Sequence, residues 1–134
     1  MKVKDIMNNI IKVPHTYTVA EIAAIMDRNM TGSVLLEDKG EIVGIITERD
    51  IIKKIVAKKK NPAYIKGIEI ASYPLITIDA NADIEEASRK MEEHRIRRLL
   101  VTSGGEIIGK VTSNAIAKNI RYLTASRLIE QMQY

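Results

Sequence analysis

The sequence predicts an α+β (α/β) fold made of two copies of one β-α-β-β-α unit, packed sheet to sheet about a pseudo-twofold axis. Three observations predict it. A shift of 65 residues (Val19 over Ile84, 84 minus 19) lays one half of the chain on the other: Glu21 on Glu86, Met26 on Met91, Leu35 on Leu100, Gly44 on Gly109, Thr47 on Thr112 and Lys53 on Lys118. Each half holds one stretch with apolar residues at helical spacing, followed by two short β-rich runs. Those runs are joined by DKG (38–40) and SGG (103–105), which are turn-forming links.

The elements follow in order. IIKV (10–13) is a short apolar run and a candidate first strand. In TVAEIAAIMDRNM, Thr18 is a candidate N-cap, and Val19, Ile22, Ala23 and Met26 share one helical face. SVLLE and EIVGIIT then form a hairpin-like pair, and RDIIKKIVAKK reads as a closing helix. The second copy repeats the series: LITI (75–78), a helix with Asp83, Ile84, Ala87 and Met91, the pair RLLVT and EIIGKVT, and the helix NAIAKNIRYL. One copy alone is too small to bury much surface, so the two are expected to share a core. The expected boundaries are residues 1–61 for the first repeat, 62–67 for a linker, 68–121 for the second repeat and 122–134 for a C-terminal helix.

Composition narrows the function. With 134 residues, no Phe, no Trp and five Tyr, the core must be aliphatic and no aromatic stacking platform is available. The absence of cysteine removes disulfides, thiolate metal sites and cysteine nucleophiles, and two histidines leave little for an imidazole site. No cofactor and no metal are expected. No apolar run reaches the ~20 residues of a membrane span, and MKVKDIMNN has no secretory character, so a cytoplasmic protein is expected. A net charge of +4 favours a polyanionic or phosphate-bearing partner, although KKIVAKKK (53–60) also fits the solvated end of a helix.

Two motifs carry chemistry. GIITERD (44–50) ends in Asp50, whereas its counterpart GKVTSNA (109–115) ends in Ala115. Taken alone, Asp50 is an ordinary first-turn residue favoured by the helix dipole. Thr47 is either a hydroxyl donor or a β-former closing a strand. Gly44 and Gly109 allow close approach of a backbone or a ligand. HRIRRLLV (94–101) puts Arg97 and Arg98 before a strand where the first copy has Gly32 and Ser33. They are either a phosphate clamp, since guanidinium binds phosphate oxygens bidentately, or a basic surface cluster.

Together, VKDIM, TVAEIAAIM, the strand-turn-strand segment and GIITERDII resemble a tandem cystathionine-β-synthase (CBS) domain pair, or Bateman module. The resemblance covers nearly the whole chain. It is weaker in the second copy, where IEIAS stands for VKDIM and the aspartate is missing. It implies a regulatory, non-enzymatic module that binds AMP, ADP, ATP or S-adenosylmethionine between the repeats, that is a homodimer, and that acts on an effector protein in trans. By the same resemblance Asp50 and Thr47 would hold ribose, and Ile45, Ile46, Leu75, Ile76 and Ile96 would surround adenine. Arg97 and Arg98 would hold phosphate, with Arg49, Lys12 and His94 as lesser candidates. The twin site at Thr112 and Ala115 would be weak, since a methyl group accepts no hydrogen bond. The alternatives are a nucleic-acid binder using the basic surface and a scaffold. No nucleophile stands beside a base in the sequence, which argues against an enzyme.

Overall fold

The computed structural model describes residues 1–73 and 75–132, with the backbone only for residues 122, 123, 126 and 127. The chain is mixed α and β, with two three-stranded sheets of identical topology. It divides into two compact units, Ile10–Leu75 and a second one made of Met1–Asn9 with Ile76–Tyr134.

In the unit Ile10–Leu75, β1 (Lys12–Pro14) runs parallel to β2 (Ser33–Asp38), and β2 pairs antiparallel with β3 (Glu41–Thr47). The crossover that parallel strands require between β1 and β2 is supplied by α1 (Val19–Arg28). Thr18 caps α1 as predicted: its Oγ1 accepts the Glu21 N–H at 3.2 Å, and the Glu21 carboxylate returns to the Thr18 N–H, forming a capping box. The hairpin between β2 and β3 turns on Lys39 and Gly40, both at positive φ, as a two-residue loop of primed type requires. After β3 come a four-residue helix, α2 (Glu48–Ile51), and a π-helical stretch, Ile52–Val56, rather than one regular helix. Val13, Val19, Ile22, Met26, Val34, Leu36, Ile46, Ile55 and Ile70 form its core.

The other unit repeats this plan with β4 (Thr77–Asp79), α3 (Ile84–His94), β5 (Arg98–Ser103) and β6 (Glu106–Thr112). Its core joins Val3 to Ile78, Ile84, Ala87, Met91, Leu99, Val101, Val111 and Ile116. Here the closing helix is regular and long: α4 spans Ser113–Met132, merging NAIAKNIRYL with the C-terminal segment. Of the predicted 122–134 helix, residues 133 and 134 lie outside the described residues. No described helix is long and apolar enough to cross a membrane.

The segments preceding the first strands depart from a gapless shift of 65. The 3-10 turn Val3–Asp5 corresponds to Gly67–Glu69, an offset of 64 (67 minus 3). Hydrogen bonding sets this register: Ser72 bridges Ile45 of β3, and Asn8 bridges Lys110 of β6 in the same way. Each segment therefore completes the unit opposite to the repeat it precedes in sequence.

Both units end their first helix on a non-glycine residue in the left-handed region, Met30 at φ 52° and Arg95 at φ 53°. L-residues resist this conformation, and glycine occupies it freely. Met30 is 94% exposed, so its side chain contributes little packing. Met30→Gly is expected to stabilise the protein by about 0.5–1 kcal/mol, read as a higher midpoint in urea at unchanged slope.

Candidate functional site

The sequence element at the centre of the site is the end of β3. Gly44 makes room for it: a Cβ there would lie 2.9 Å from the Ala71 Cβ and 3.5 Å from the Ser72 carbonyl oxygen. Because glycine leaves this space open, the 70–72 backbone lies directly against the strand. Ile45 N–H donates to the Ser72 carbonyl at 3.1 Å, and Ser72 N–H donates to the Ile45 carbonyl at 2.8 Å. The Gly44 prediction of close backbone approach thus holds, and Gly109 does the same for Met7 and Asn8.

Two residues beyond Ile45, Thr47 caps α2, and its Oγ1 accepts the Asp50 N–H at 3.3 Å. Asp50 closes the capping box: its Oδ2 accepts the Thr47 N–H at 2.9 Å and the Thr47 hydroxyl at 3.2 Å. The other oxygen, Oδ1, accepts the Ser72 hydroxyl at 3.0 Å and lies 3.0 Å from the Lys54 ammonium. Lys54 Nζ also donates to the Ile70 carbonyl at 2.8 Å. Asp50 is only 8% exposed, and a charge so buried is stable where it is paired and hydrogen-bonded.

The twin position shows which part of this is needed to start a helix. Thr112 Oγ1 accepts the Ala115 N–H at 3.1 Å, so threonine alone caps α4. The helix forms with no acid in the place of Asp50. Thr47 is accounted for by its cap, whereas the Asp50 carboxylate exceeds what the local fold demands.

The remaining candidates sort by unit. With Asp50 in the unit Ile10–Leu75 are Arg49 and Lys12, both exposed, Ile45 and Leu75, half-buried, and Ile46, fully buried in the core beside Val34 and Leu36. In the other unit, Ile76 and Ile96 are half-buried against the core, and the Ile76 carbonyl accepts the Leu100 N–H at 3.0 Å. His94 ends α3 and is exposed; Arg97 is exposed, with its carbonyl accepting the Ser113 N–H at 2.8 Å. Arg98 opens β5 opposite Thr112 and is half-buried. The structure brings Thr47, Asp50 and the Ile45 backbone together, and in the other unit sets Ile96, Arg97 and Arg98 at the entry to β5. Among the described residues no group of three or more His, Cys, Asp or Glu gathers as a metal site.

Sequence reasoning missed Ser72 and Lys54. Ser72 lies 22 residues from Asp50, beyond any local pattern. Lys54 was legible in principle, because it sits one helical turn after Asp50, and both residues change together in the second copy, to Ala115 and Asn119.

Comparison with known proteins adds four findings. The family model described as "CBS domain" matches residues 3–57 and again residues 67–122. An uncharacterized protein of Methanopyrus kandleri is 40% identical over 113 residues, which cover 83% of this chain and 58% of that protein. The chain thus spans little more than half the length of this relative. Among solved structures, an uncharacterized conserved protein from Pyrococcus horikoshii superposes with a TM-score of 0.84 at 30% identity, covering 90% of this chain and 92% of that one. A CBS domain protein from Pyrobaculum aerophilum complexed with AMP superposes with a TM-score of 0.77 at 25% identity, covering 86% of this chain and 89% of that one.

Proposed function

The chain belongs to the CBS-domain family as a tandem pair of its domains, and from that premise we propose a regulatory module that binds one adenosine-containing ligand and is not an enzyme. One observation carries the reading: a buried carboxylate is retained at Asp50, where the twin helix starts without one. The relative complexed with AMP supports the ligand class.

Asp50 takes the ribose hydroxyls, since a carboxylate accepts a vicinal diol with charge-assisted bonds. Ile45, Leu75, Ile76 and Ile96 surround the base, while Ile46 acts through the core it fills. Arg97 and Arg98 take phosphate, with Arg49, Lys12 and His94 in support. The ligand class is AMP, ADP, ATP or S-adenosylmethionine, and the module acts as a homodimer on a partner protein in trans. Ligand binding transmits a signal only to the extent that it favours one arrangement of the protein over another.

Calorimetry with these four compounds tests the proposal. The double variant Arg97→Ala, Arg98→Ala is expected to lose about tenfold or more in affinity for AMP, ADP or ATP and to keep its affinity for adenosine. Equal AMP binding by both proteins removes the arginines from the site. A second reading rests on Lys53, Lys58, Lys59 and Lys60, all exposed in one short run, which fit a polyanion. A salt-sensitive complex with duplex DNA that survives Asp50→Ala would favour it.

A further inference from the structure

The hydrogen bonds of Asp50 leave a ligand no free place. A carboxylate has about four lone-pair positions, and four donors fill them: the Thr47 N–H and hydroxyl on Oδ2, the Ser72 hydroxyl and Lys54 ammonium on Oδ1. A diol needs two of these places. The Oδ2 pair is fixed, because it consists of a backbone amide and the residue capping α2. On Oδ1 both donors can leave: Ser72 by rotating its hydroxyl, Lys54 by swinging a flexible chain that is 44% exposed.

Lys54 does more than neutralise Asp50. Its ammonium also holds the Ile70 carbonyl at 2.8 Å, so one cation ties the helical stretch after β3 to the 70–72 segment. In the second unit the tie is missing together with the acid. Asn119, at the place of Lys54, turns its side-chain amide onto the Ala115 carbonyl of its own helix at 2.7 Å. The lysine occurs where the aspartate occurs.

We propose that Lys54 sets the affinity and response of the Asp50 site: a ligand's vicinal diol binds by displacing the Lys54 ammonium from Oδ1, and this releases the Ile70 carbonyl. The proposal rests on the adenosine reading above. It makes the 70–72 segment, which leads into the second repeat, the part of the chain that registers binding. It also gives a neutral ligand an unusual salt dependence, because adenosine must break an ion pair that salt weakens.

The test titrates adenosine, which carries no phosphate, into wild type, Lys54→Met and Lys54→Arg at low and high salt, with AMP in parallel. Lys54→Met keeps the stem and removes the competing cation. It is expected to bind adenosine about two- to fivefold more tightly than wild type. Salt is expected to raise the wild-type affinity and leave the variant unchanged. Lys54→Arg is expected to behave as wild type. Adenosine binding to Lys54→Met alone also supports the proposal. Equal or weaker adenosine binding by Lys54→Met overturns it and leaves the Asp50 reading standing. A loss of AMP affinity at unchanged adenosine affinity overturns it too, by putting Lys54 on phosphate. If neither protein binds adenosine, the ligand reading and the Lys54 proposal fall together. Thermal melts monitor folding, and Lys54→Gln replaces the methionine variant if that melt is not cooperative.

Discussion

Asp50→Ala is expected to lower adenine-nucleotide affinity by at least about 100-fold, since two hydrogen bonds to a charged acceptor contribute about 1.5–3 kcal/mol each. The same substitution is expected to cost about 2 kcal/mol of stability. It removes half of a capping box and leaves the partly buried Thr47 N–H and Ser72 hydroxyl without their acceptor. Lys54 adds little to this loss, because its half-exposed ammonium can return to water. The two effects separate experimentally. Calorimetry reads the first and urea unfolding the second, and Asp50→Asn keeps the side-chain shape while removing the charge. A variant that unfolds earlier but binds AMP as wild type does would leave Asp50 a purely structural residue.

Gly44→Ala and Gly109→Ala are expected to destabilise the protein by about 1–3 kcal/mol each, because an added methyl overpacks a closed contact. The new Cβ at residue 44 would lie 2.9 Å from the Ala71 Cβ, and that at residue 109 would lie 2.9 Å from the Asn8 carbonyl oxygen. Carbon atoms prefer about 3.5–4.0 Å, so the 70–72 segment must move away from β3. That movement takes Ser72 from Asp50. Gly109→Ala disturbs the Asn8 segment, in the unit where Ala115 stands at the position of Asp50. Thermal melts should therefore fall for both variants, while nucleotide affinity should change for Gly44→Ala only. Equal losses of affinity would trace the effect to general destabilisation instead of to Ser72.

What the sequence revealed, and what it concealed, follows from the range of each interaction. Thr18 with Glu21 and Thr47 with Asp50 are local pairs, so their spacing alone announces them. The two hairpins and the first helices were equally plain, because periodicity and turn residues act over a few positions. Ser72 could not be found that way, since its meeting with Asp50 depends on how a distant segment docks on β3. Lys54 was concealed by its company. Within KKIVAKKK, Lys53 is exposed and Lys54 turns to Asp50, a difference of direction that composition does not record. The length of α4 was concealed for the opposite reason: the second helix and the C-terminal segment have no breaker between them, and the structure carries one helix through both. Ile46 shows the limit of assigning a wall by hydrophobicity, for its side chain is spent on the core.

The placement of residues 1–9 in the unit of the second repeat has a consequence for synthesis. Chains fold from the N-terminal side as they leave the ribosome. The unit Ile10–Leu75 is contiguous and can close once Ser72 has emerged. Val3, fully buried against Ile84 and its neighbours, must wait for partners made some eighty residues later. Long-range pairing of this kind is slow. During translation, the earlier of these residues are thus the last to find their place, after the contiguous stretch that follows them.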